Sequence, residues 1–370
     1  MDGRQAATGR RGAFGVKTIF ACALALFAAP LAAQDRYAEY EAYLEEFRKQ
    51  NNIPALSAVI LKDRRIVWEG YFGTYDDEGD MPTIAETTYS IASVTKPIAA
   101  TAIIAESRAG GFDLDLPMAG DEAWAEVCAF FITRDAIPFM AGGVDQDGNA
   151  IAPMDCDKPT TLAQMLDMRA NGEAFVYNPI AFARIDRAIA AAGGRDLRAM
   201  VRDRVVEPAG MRNVALGWHD PEEGDALRYL AAPHHVVDGR IVKQAISDDD
   251  FRASAGIKTS PRAIAAFDIA FDNGVFLPQS HRRSLVETEI PPLGDYRMGW
   301  WLEDWNGKRL IWHSGKDDER YSAVYLKVPE DELTLIVLGN AETILGPTST
   351  VKAEVSDAPV AAKFLELFVR

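Results

Sequence analysis

The amino-acid sequence predicts a mixed α/β (α+β) fold, in which a mainly antiparallel sheet is built from both ends of the chain and flanked by helices. Three observations predict it: short strand-like runs near the amino terminus, a second group of such runs near the carboxyl terminus, and mostly helical patterns between them. We expect the sheet region over residues 35–99 and 250–370, with a mostly helical region inserted at 100–249. A crevice between these regions is the natural place for a ligand site.

The amino-terminal elements read as a helix followed by a β-hairpin. Residues 37–50 carry apolar or aromatic side chains at helical spacing, and Pro54 would stop that helix. The runs 56–61 and 66–72 are rich in β-forming residues and are separated by the polar residues 62–65.

The next element is a helix without a polar face. Residues 98–107 are rich in Ala and Ile on every side, and Gly110 and Gly111 follow them. This pattern is typical of a buried helix with a glycine stop. Further helical patterns fill the middle of the chain, including one at 182–192, around a loop-rich stretch at 138–159.

Toward the carboxyl terminus the residue pattern changes from helical to strand-like. Turn-forming residues such as Asn306-Gly307 separate the strands, and an amphipathic helix at 358–369 closes the chain. The four predicted strands are 296–302, 309–312, 321–328 and 333–338.

Charge and composition exclude several classes of function. Lys+Arg number 39 against 55 Asp+Glu, a net charge of −16, and no basic run interrupts this acidity. A nucleic-acid partner is therefore not expected. We expect no cofactor or metal either, because the sequence has no H-E-x-x-H motif and no phosphate-cradling glycine loop. His234-His235 lack an accompanying acidic or thiol pattern and predict a polar loop.

The first residues resemble an export signal. Four basic residues precede the apolar run 18–31, and Ala32-Ala33 offers a small-residue cleavage point. We therefore predict a signal peptide over 1–34 and a periplasmic or secreted bacterial protein. The run is shorter than the roughly 20 residues of a membrane span, so no stable span is expected after cleavage, with an uncleaved anchor as the alternative. Cys128 and Cys156 would remain, either as a disulfide or as two separate buried thiols.

The pattern S-x-x-K at Ser93 and Lys96 carries the first catalytic hypothesis. If Ser93 opens the apolar helix, Lys96 lies one turn later and its amine can reach the hydroxyl, which needs such a partner to become a nucleophile. A helix N-cap is the other interpretation of Ser93 taken alone. The same pattern recurs at 349–352 in a polar stretch with no apolar helix behind it, and we interpret that match as coincidence.

Three motifs in order resemble one known superfamily. Ser93-Val-Thr-Lys96 is followed by Phe175-Val-Tyr177-Asn178-Pro179, which resembles a Y-x-N element, and by His313-Ser314-Gly315, where relatives carry K-T-G or H-x-G. From about residue 40 onward the chain resembles the serine β-lactamase and penicillin-binding-protein superfamily, in its class C β-lactamase-like branch. That branch also contains D,D-carboxypeptidases, D-aminopeptidases and esterases. The resemblance implies a β-lactamase/transpeptidase-like fold.

The resemblance also implies roles for individual residues. Ser93 would be the acylated nucleophile, Lys96 its proton partner, and Tyr177 the base or relay. Backbone N–H groups of Ser93 and Lys316 would form the oxyanion hole. The predicted substrate-binding residues are Asn178, His313, Ser314, Gly315 and Lys316. Without the motif order, Tyr177 would read as a core residue and His313 as a structural group.

Two departures from the family pattern shape the predicted activity. Asn178 follows Tyr177 directly, whereas the family places asparagine two residues after the tyrosine, where this chain has Pro179. His313 replaces a lysine that would face a substrate carboxylate. We predict a serine hydrolase that acts through an acyl-enzyme on a small ester, amide or peptide, with weak or absent β-lactamase activity. The alternatives are a β-lactamase, a penicillin-binding sensor without turnover, and a metal-dependent or triad hydrolase of another fold.

Overall fold

The computed structural model describes residues 19–118, 123–134, 137–144, 148, 150–173, 175–248, 250–292, 294–349 and 351–369. The basic segment of the predicted signal peptide lies outside these described residues. The first helix begins at Ile19 and ends at Gln50, so it is longer than the predicted 37–50. Among the described residues, none of the helices combines the length and the apolar character that crossing a membrane requires.

The helices and strands occur in an order close to the predicted one. The helices are α1 (Ile19–Gln50), α2 (Thr95–Arg108), α3 (Trp124–Ile132), α4 (Pro138–Ala141), α5 (Leu162–Leu166), α6 (Pro179–Phe182), α7 (Ile185–Ala191), α8 (Leu197–Val201), α9 (Glu207–Ala209), α10 (Pro261–Asp272), α11 (Gln279–Glu287) and α12 (Pro359–Phe368). The strands are β1 (Ala55–Lys62), β2 (Arg65–Gly73), β3 (Tyr89–Ser90), β4 (Gly143–Val144), β5 (Ala150–Ile151), β6 (Val214–Leu216), β7 (His234–Val237), β8 (Arg240–Lys243), β9 (Ile257–Thr259), β10 (Asp295–Arg297), β11 (Trp300–Trp305), β12 (Lys308–Asp317), β13 (Tyr321–Val328) and β14 (Leu333–Gly339).

The main sheet joins the two ends of the chain. Its seven strands are antiparallel in the order β10-β11-β12-β13-β14-β1-β2. β1 pairs with β14 from Leu56↔Gly339 to Lys62↔Leu333, so the amino-terminal hairpin extends the carboxyl-terminal strands. Residues 55–61 are all buried, which means that both faces of the sheet are covered there. The prediction of a mainly antiparallel sheet built from both ends is confirmed.

The terminal helices pack together beside this sheet. The Tyr40 hydroxyl on α1 donates to the Val360 carbonyl on α12 at 2.9 Å. The Tyr40 ring also makes edge-to-face contacts with Phe364 of α12 and with Trp68 of β2. These contacts hold α1 and α12 together and join α1 to β2.

The strand predicted at 296–302 is wrong in one respect, because a turn divides it into β10 and β11. Met298 and Gly299 both have positive φ, +50° and +88°. The Met298 N–H bonds Asp167 Oδ1 at 2.8 Å, while a Cβ at position 299 would lie 2.7 Å from the Ala100 Cβ. Glycine is therefore needed where this turn touches α2. The predicted strand 309–312 is in turn longer, since β12 continues to Asp317.

The inserted region contains short helices, the short strands β4 to β8 and one disulfide. The single helix predicted at 182–192 is instead two, α6 and α7. Cys128 of α3 and Cys156 form a disulfide with an S–S distance of 2.08 Å, which decides the alternative that the sequence left open. His234 and His235 lie in β7 rather than in a loop. Within the described residues, no group of three His, Cys, Asp or Glu side chains could hold a metal ion.

Candidate active site

Ser93 lies in the short 3-10 turn Ala92–Val94, directly before α2. Ala92 has a φ of +43°, an unusual value for a residue with a side chain, and such strain is often found at functional turns. β12 packs closely against this turn: a Cβ on Gly315 would lie 2.2 Å from the Ile91 carbonyl oxygen. Only glycine at position 315 lets the strand come this near to Ser93.

Lys96 reaches Ser93 from one turn further along α2. Its Nζ lies 2.7 Å from Ser93 Oγ and donates to the Ser254 carbonyl at 2.9 Å. The side chain is fully buried, and among the described residues no carboxylate forms an ion pair with it. Burial lowers the pKa of this amine well below its ordinary value, because the charged form loses its hydration.

Tyr177 completes the group that the three motifs predict. Its ring is stacked on Trp301 at 5.4 Å, and Lys96 Nζ lies 5.1 Å from the ring centroid. Burial raises the pKa of the Tyr177 phenol, and a hydrogen bond with the Ser93 hydroxyl offsets part of that rise. The Ser93 hydroxyl, the Lys96 amine and the Tyr177 phenol are therefore neighbours, although the helices α2 to α5 lie between Ser93 and Tyr177 in the sequence.

Asn178 has a structural position that the sequence did not predict. Its side chain is fully buried, and its Oδ1 accepts the Ala181 N–H at 3.0 Å to cap α6. Its Nδ2 donates to the Phe139 carbonyl at 3.1 Å and to Asn171 Oδ1 at 3.2 Å. The prediction that Asn178 contacts substrate is not supported, because the amide is turned into the protein and used there. It fixes the backbone directly after Tyr177 instead.

His313 is also buried behind the reactive groups. Its Nδ1 lies 2.6 Å from the Ser314 carbonyl, which can only accept, so Nδ1 carries the hydrogen and Nε2 accepts from the Tyr296 hydroxyl at 3.1 Å. Burial lowers the pKa of His313 far below its usual range, and the nearby Lys96 lowers it further. The neutral imidazole has both nitrogens engaged and supports Tyr177, whose ring centroid is 6.0 Å away. Its predicted contact with substrate is not supported.

The end of β12 lies open beside the nucleophile. Pairing with β11 stops at Trp301↔Trp312, whereas pairing with β13 continues to Asp317↔Tyr321. One edge of residues 313–317 therefore extends beyond β11. Within this segment Lys316 lines the cavity that contains Ser93, while Ser314 is buried.

The cavity beside Ser93 has a volume of about 520 Å³ and a mostly polar wall. Ser93 and Lys316 are the two predicted site residues that line it. Loop and strand residues that the sequence analysis did not single out provide most of the remaining wall. The cavity is lined by Ser90, Ala92, Ser93, Ile246, Ser247, Asp250, Arg252, Ser254, Ala255, Gly256, Lys258, Lys316, Asp317, Asp318, Arg320 and Tyr321.

Comparison with known families decides the assignment. The sequence model of the Beta-lactamase family matches residues 40–351, which is most of the chain. The chain belongs to the Beta-lactamase family. A search of curated proteins found no significant match.

Solved structures of the Beta-lactamase fold agree with this membership. The D-amino acid amidase from Ochrobactrum anthropi SV3, solved with D-phenylalanine, is 17% identical, with 90% of this chain and 98% of that chain covered and a TM-score of 0.65. EstCE1, a hydrolase with promiscuous acyltransferase activity, is 12% identical, with 90% and 99% covered and a TM-score of 0.64. A class C β-lactamase from Rhodobacter sphaeroides is 13% identical, with 91% and 100% covered and a TM-score of 0.63. At these identities the likeness establishes the fold.

Membership of the Beta-lactamase family supports a serine hydrolase, and the geometry around Ser93 is compatible with one. Several cavity residues were missed by sequence reasoning, notably Arg252, Lys258 and Arg320. One signal was available, because Lys258 interrupts a short strand that is otherwise apolar or small. The two arginines lie in loops and give no comparable pattern.

Proposed function

We propose that this chain is an exported bacterial serine hydrolase of the class C β-lactamase-like branch, which cleaves small esters, amides or peptides through an acyl-enzyme on Ser93. The observation that carries the proposal is the 2.7 Å contact between Ser93 Oγ and Lys96 Nζ. A buried amine without a described carboxylate partner can activate a serine hydroxyl, which is a weak nucleophile by itself.

In the proposed acylation step, the neutral amine of Lys96 accepts the Ser93 proton while Oγ attacks the substrate carbonyl. Burial of Lys96 favours that neutral form. The raised pKa of Tyr177 keeps its phenol protonated near neutral pH, so it does not act as a phenolate base. Tyr177 instead gives its proton to the leaving group and takes up the proton that Lys96 received from Ser93, which leaves both side chains neutral again. Backbone N–H groups of Ser93 and Lys316 are the proposed donors to the oxyanion. Water then attacks the ester carbonyl and releases the acid, with the same groups moving the proton back.

The environment of His313 supports esters or simple amides over β-lactams. A lysine at this position would offer a permanent cation to a substrate carboxylate, whereas the imidazole is neutral, buried and bonded to Tyr296 and Ser314. The solved structures that share the fold include a hydrolase with acyltransferase activity and a D-amino acid amidase.

The Cys128–Cys156 disulfide supports the proposed export. Disulfides persist in oxidising compartments such as the periplasm and are rare in the cytosol. Cell fractionation of the full-length chain, with mass analysis of its amino terminus, tests both export and cleavage near Ala33. Full-length chain retained in the cytosolic fraction would contradict the proposal.

Covalent labelling tests the proposed function directly. A fluorophosphonate probe should add mass to Ser93, and Ser93→Ala should abolish both labelling and p-nitrophenyl ester hydrolysis. Ser349→Ala is the matched control, since Ser349 belongs to the second S-x-x-K match, which lies outside any described helix. Labelling that survives in Ser93→Ala would refute the assignment. Acylation without product release would instead favour the sensor alternative, and nitrocefin turnover as efficient as ester turnover would favour a β-lactamase.

A further inference from the structure

The Cys128–Cys156 disulfide closes a segment that contacts the residues around Tyr177. We call residues 128–156 the disulfide-closed segment. The structure describes residues 128–134, 137–144, 148 and 150–156 of this segment. Its first arm contains α4 and β4, and its second arm runs from β5 to Cys156. Both arms accept hydrogen bonds from buried asparagines on either side of Tyr177.

Asn171 and Asn178 join the two arms to the backbone that flanks Tyr177. Asn171 Nδ2 donates to the Phe139 carbonyl at 2.9 Å on the first arm and to the Ala152 carbonyl at 3.0 Å on the second. Asn178 Nδ2 donates to the same Phe139 carbonyl at 3.1 Å and to Asn171 Oδ1 at 3.2 Å. The residue directly after Tyr177 is therefore held by groups of the disulfide-closed segment.

The elements that join the two arms to each other are short. β4 and β5 pair over two residues each, and α4 has four residues. Hairpins and helices of this length are marginal by themselves. The Met154 N–H of the second arm donates to the Met140 carbonyl of the first at 2.8 Å. Shortly after Met154, Cys156 is tied to Cys128, which is fully buried on α3. The disulfide therefore restricts how far the second arm can move from the first.

The contacts of the nucleophile come from other parts of the chain. Lys96 Nζ lies 2.7 Å from Ser93 Oγ and 2.9 Å from the Ser254 carbonyl oxygen. The ring of Tyr177 stacks on Trp301 of β11. The disulfide-closed segment thus bears on the backbone next to Tyr177 rather than on the Ser93–Lys96 pair.

We propose that Cys128 and Cys156, joined as a disulfide, are positioning residues for Tyr177, so that cleavage of substrates whose leaving group needs a proton depends on the oxidised pair. This inference rests on the proposed hydrolase function and adds a redox requirement to the same site. Proton transfer to a leaving group is sensitive to small displacements of the donor. In a reducing compartment the two thiols would stay unpaired, and a chain not yet exported would cleave such substrates slowly.

Reduction by a dithiol such as dithiothreitol opens the pair in a defined way. The S–S bond breaks, each sulfur takes up one electron and one proton to become a thiol, and the dithiol is oxidised to its cyclic disulfide. The second arm is then free to move away from α3, and the backbone after Tyr177 loses part of its support.

Two esters of one acid, p-nitrophenyl hexanoate and ethyl hexanoate, test this inference. The p-nitrophenolate group leaves as an anion near neutral pH, whereas the ethoxide group needs a proton as it leaves. Both esters form the same acyl-enzyme, so kcat/KM compares acylation alone. Complete reduction, followed by anaerobic removal of dithiothreitol, should lower kcat/KM for the ethyl ester by about tenfold or more and for the p-nitrophenyl ester by about twofold at most. Reoxidation should restore the ethyl ester rate.

Cysteine variants connect the effect to this disulfide. The double variant Cys128→Ala/Cys156→Ala should have the lowered ratio of ethyl to p-nitrophenyl kcat/KM and should not respond to dithiothreitol. Cys22→Ala is the matched control, because it removes the third cysteine of the sequence, and it should respond as the wild type does. A thermal melt shows whether the double variant is folded at the assay temperature, and the reduced wild type carries the test if it is not.

The variant Tyr177→Phe separates positioning from a general loosening of the fold. It should have a lowered ratio of ethyl to p-nitrophenyl kcat/KM, and reduction should lower that ratio no further, because the donor that the disulfide positions is already absent. A further loss of about tenfold on reduction of Tyr177→Phe would show that the disulfide acts elsewhere and would overturn the inference.

Other outcomes would also overturn the inference. An unchanged ratio in enzyme whose mass shows complete reduction would refute it, and so would an equal loss of activity toward both esters. Oxidised enzyme that hydrolyses the p-nitrophenyl ester but not the ethyl ester would show that Tyr177 delivers no proton. In these cases labelling of Ser93 by a fluorophosphonate probe leaves the hydrolase proposal intact. If Ser93 stays unlabelled and neither ester is hydrolysed, both proposals fail together.

Discussion

Replacing Asn178 by alanine distinguishes a structural role of this side chain from a role in substrate binding. The side chain caps α6 at the Ala181 N–H and donates to Phe139 and Asn171. Loss of the cap costs about 1 kcal/mol. Loss of the two buried hydrogen bonds, which removes a donor from Asn171 Oδ1, adds about 1–3 kcal/mol. We therefore expect Asn178→Ala to lower the free energy of unfolding by about 2–4 kcal/mol.

Urea unfolding and steady-state ester hydrolysis together measure this prediction. Because Asn178 fixes the backbone next to Tyr177, kcat should fall more than KM rises. Asn178→Ser is the control variant: its hydroxyl can still cap α6, so it should recover about 1 kcal/mol of the lost stability. A variant with wild-type stability and a severalfold higher KM would refute this reasoning and would indicate that Asn178 binds substrate.

Three further predictions follow from other parts of the structure. Gly315→Ala should reduce ester kcat/KM by about a hundredfold, because its Cβ would push β12 away from the Ile91 carbonyl. Wild-type kinetics in this variant would contradict the close contact between Gly315 and Ile91. Replacing Cys128 and Cys156 together by alanine opens a loop of 28 residues and should cost about 3–4 kcal/mol in urea unfolding, and a loss below about 1 kcal/mol would contradict it. Burial raises the pKa of Glu303 to about 7. The protonated Glu303 therefore contributes to the free energy of unfolding fully below pH about 4.5, and this contribution is lost as pH rises past about 7. Glu303→Gln should flatten the pH dependence of stability over that interval. An unchanged stability profile would refute the raised pKa of Glu303.

The sequence was sufficient to predict the sheet and the meeting of the three motifs. Strand-like runs at both ends of the chain correspond to β1, β2 and β11 to β14, because runs of β-forming residues and the turn residues between them are local signals. Ser93 and Lys96 are one helical turn apart, so their contact follows from local geometry once α2 begins there. Tyr177 required the order of motifs, since nothing near it in the sequence distinguishes it from a core tyrosine.

Features that depend on tertiary contacts could not be predicted. The division of 296–302 into two strands arises where Gly299 touches α2, and that contact is invisible in a strand-like run of residues. Asn178 resembled a family motif, but its orientation is set by Phe139 and Asn171. Arg252 and Arg320 meet at the cavity only because loops distant in sequence converge there.

The pairing of β1 with β14 has a consequence for biosynthesis. Ser93 is synthesised long before β12, and the edge of β1 finds its partner only when residues 333–339 emerge. A nascent chain that ends before β12 lacks the strand that supports the nucleophile, and it exposes an unpaired strand edge. Completion of the sheet therefore waits for nearly the whole polypeptide, and such long-range pairing folds slowly. Truncations that remove β14 should accumulate as aggregates rather than as a smaller active enzyme.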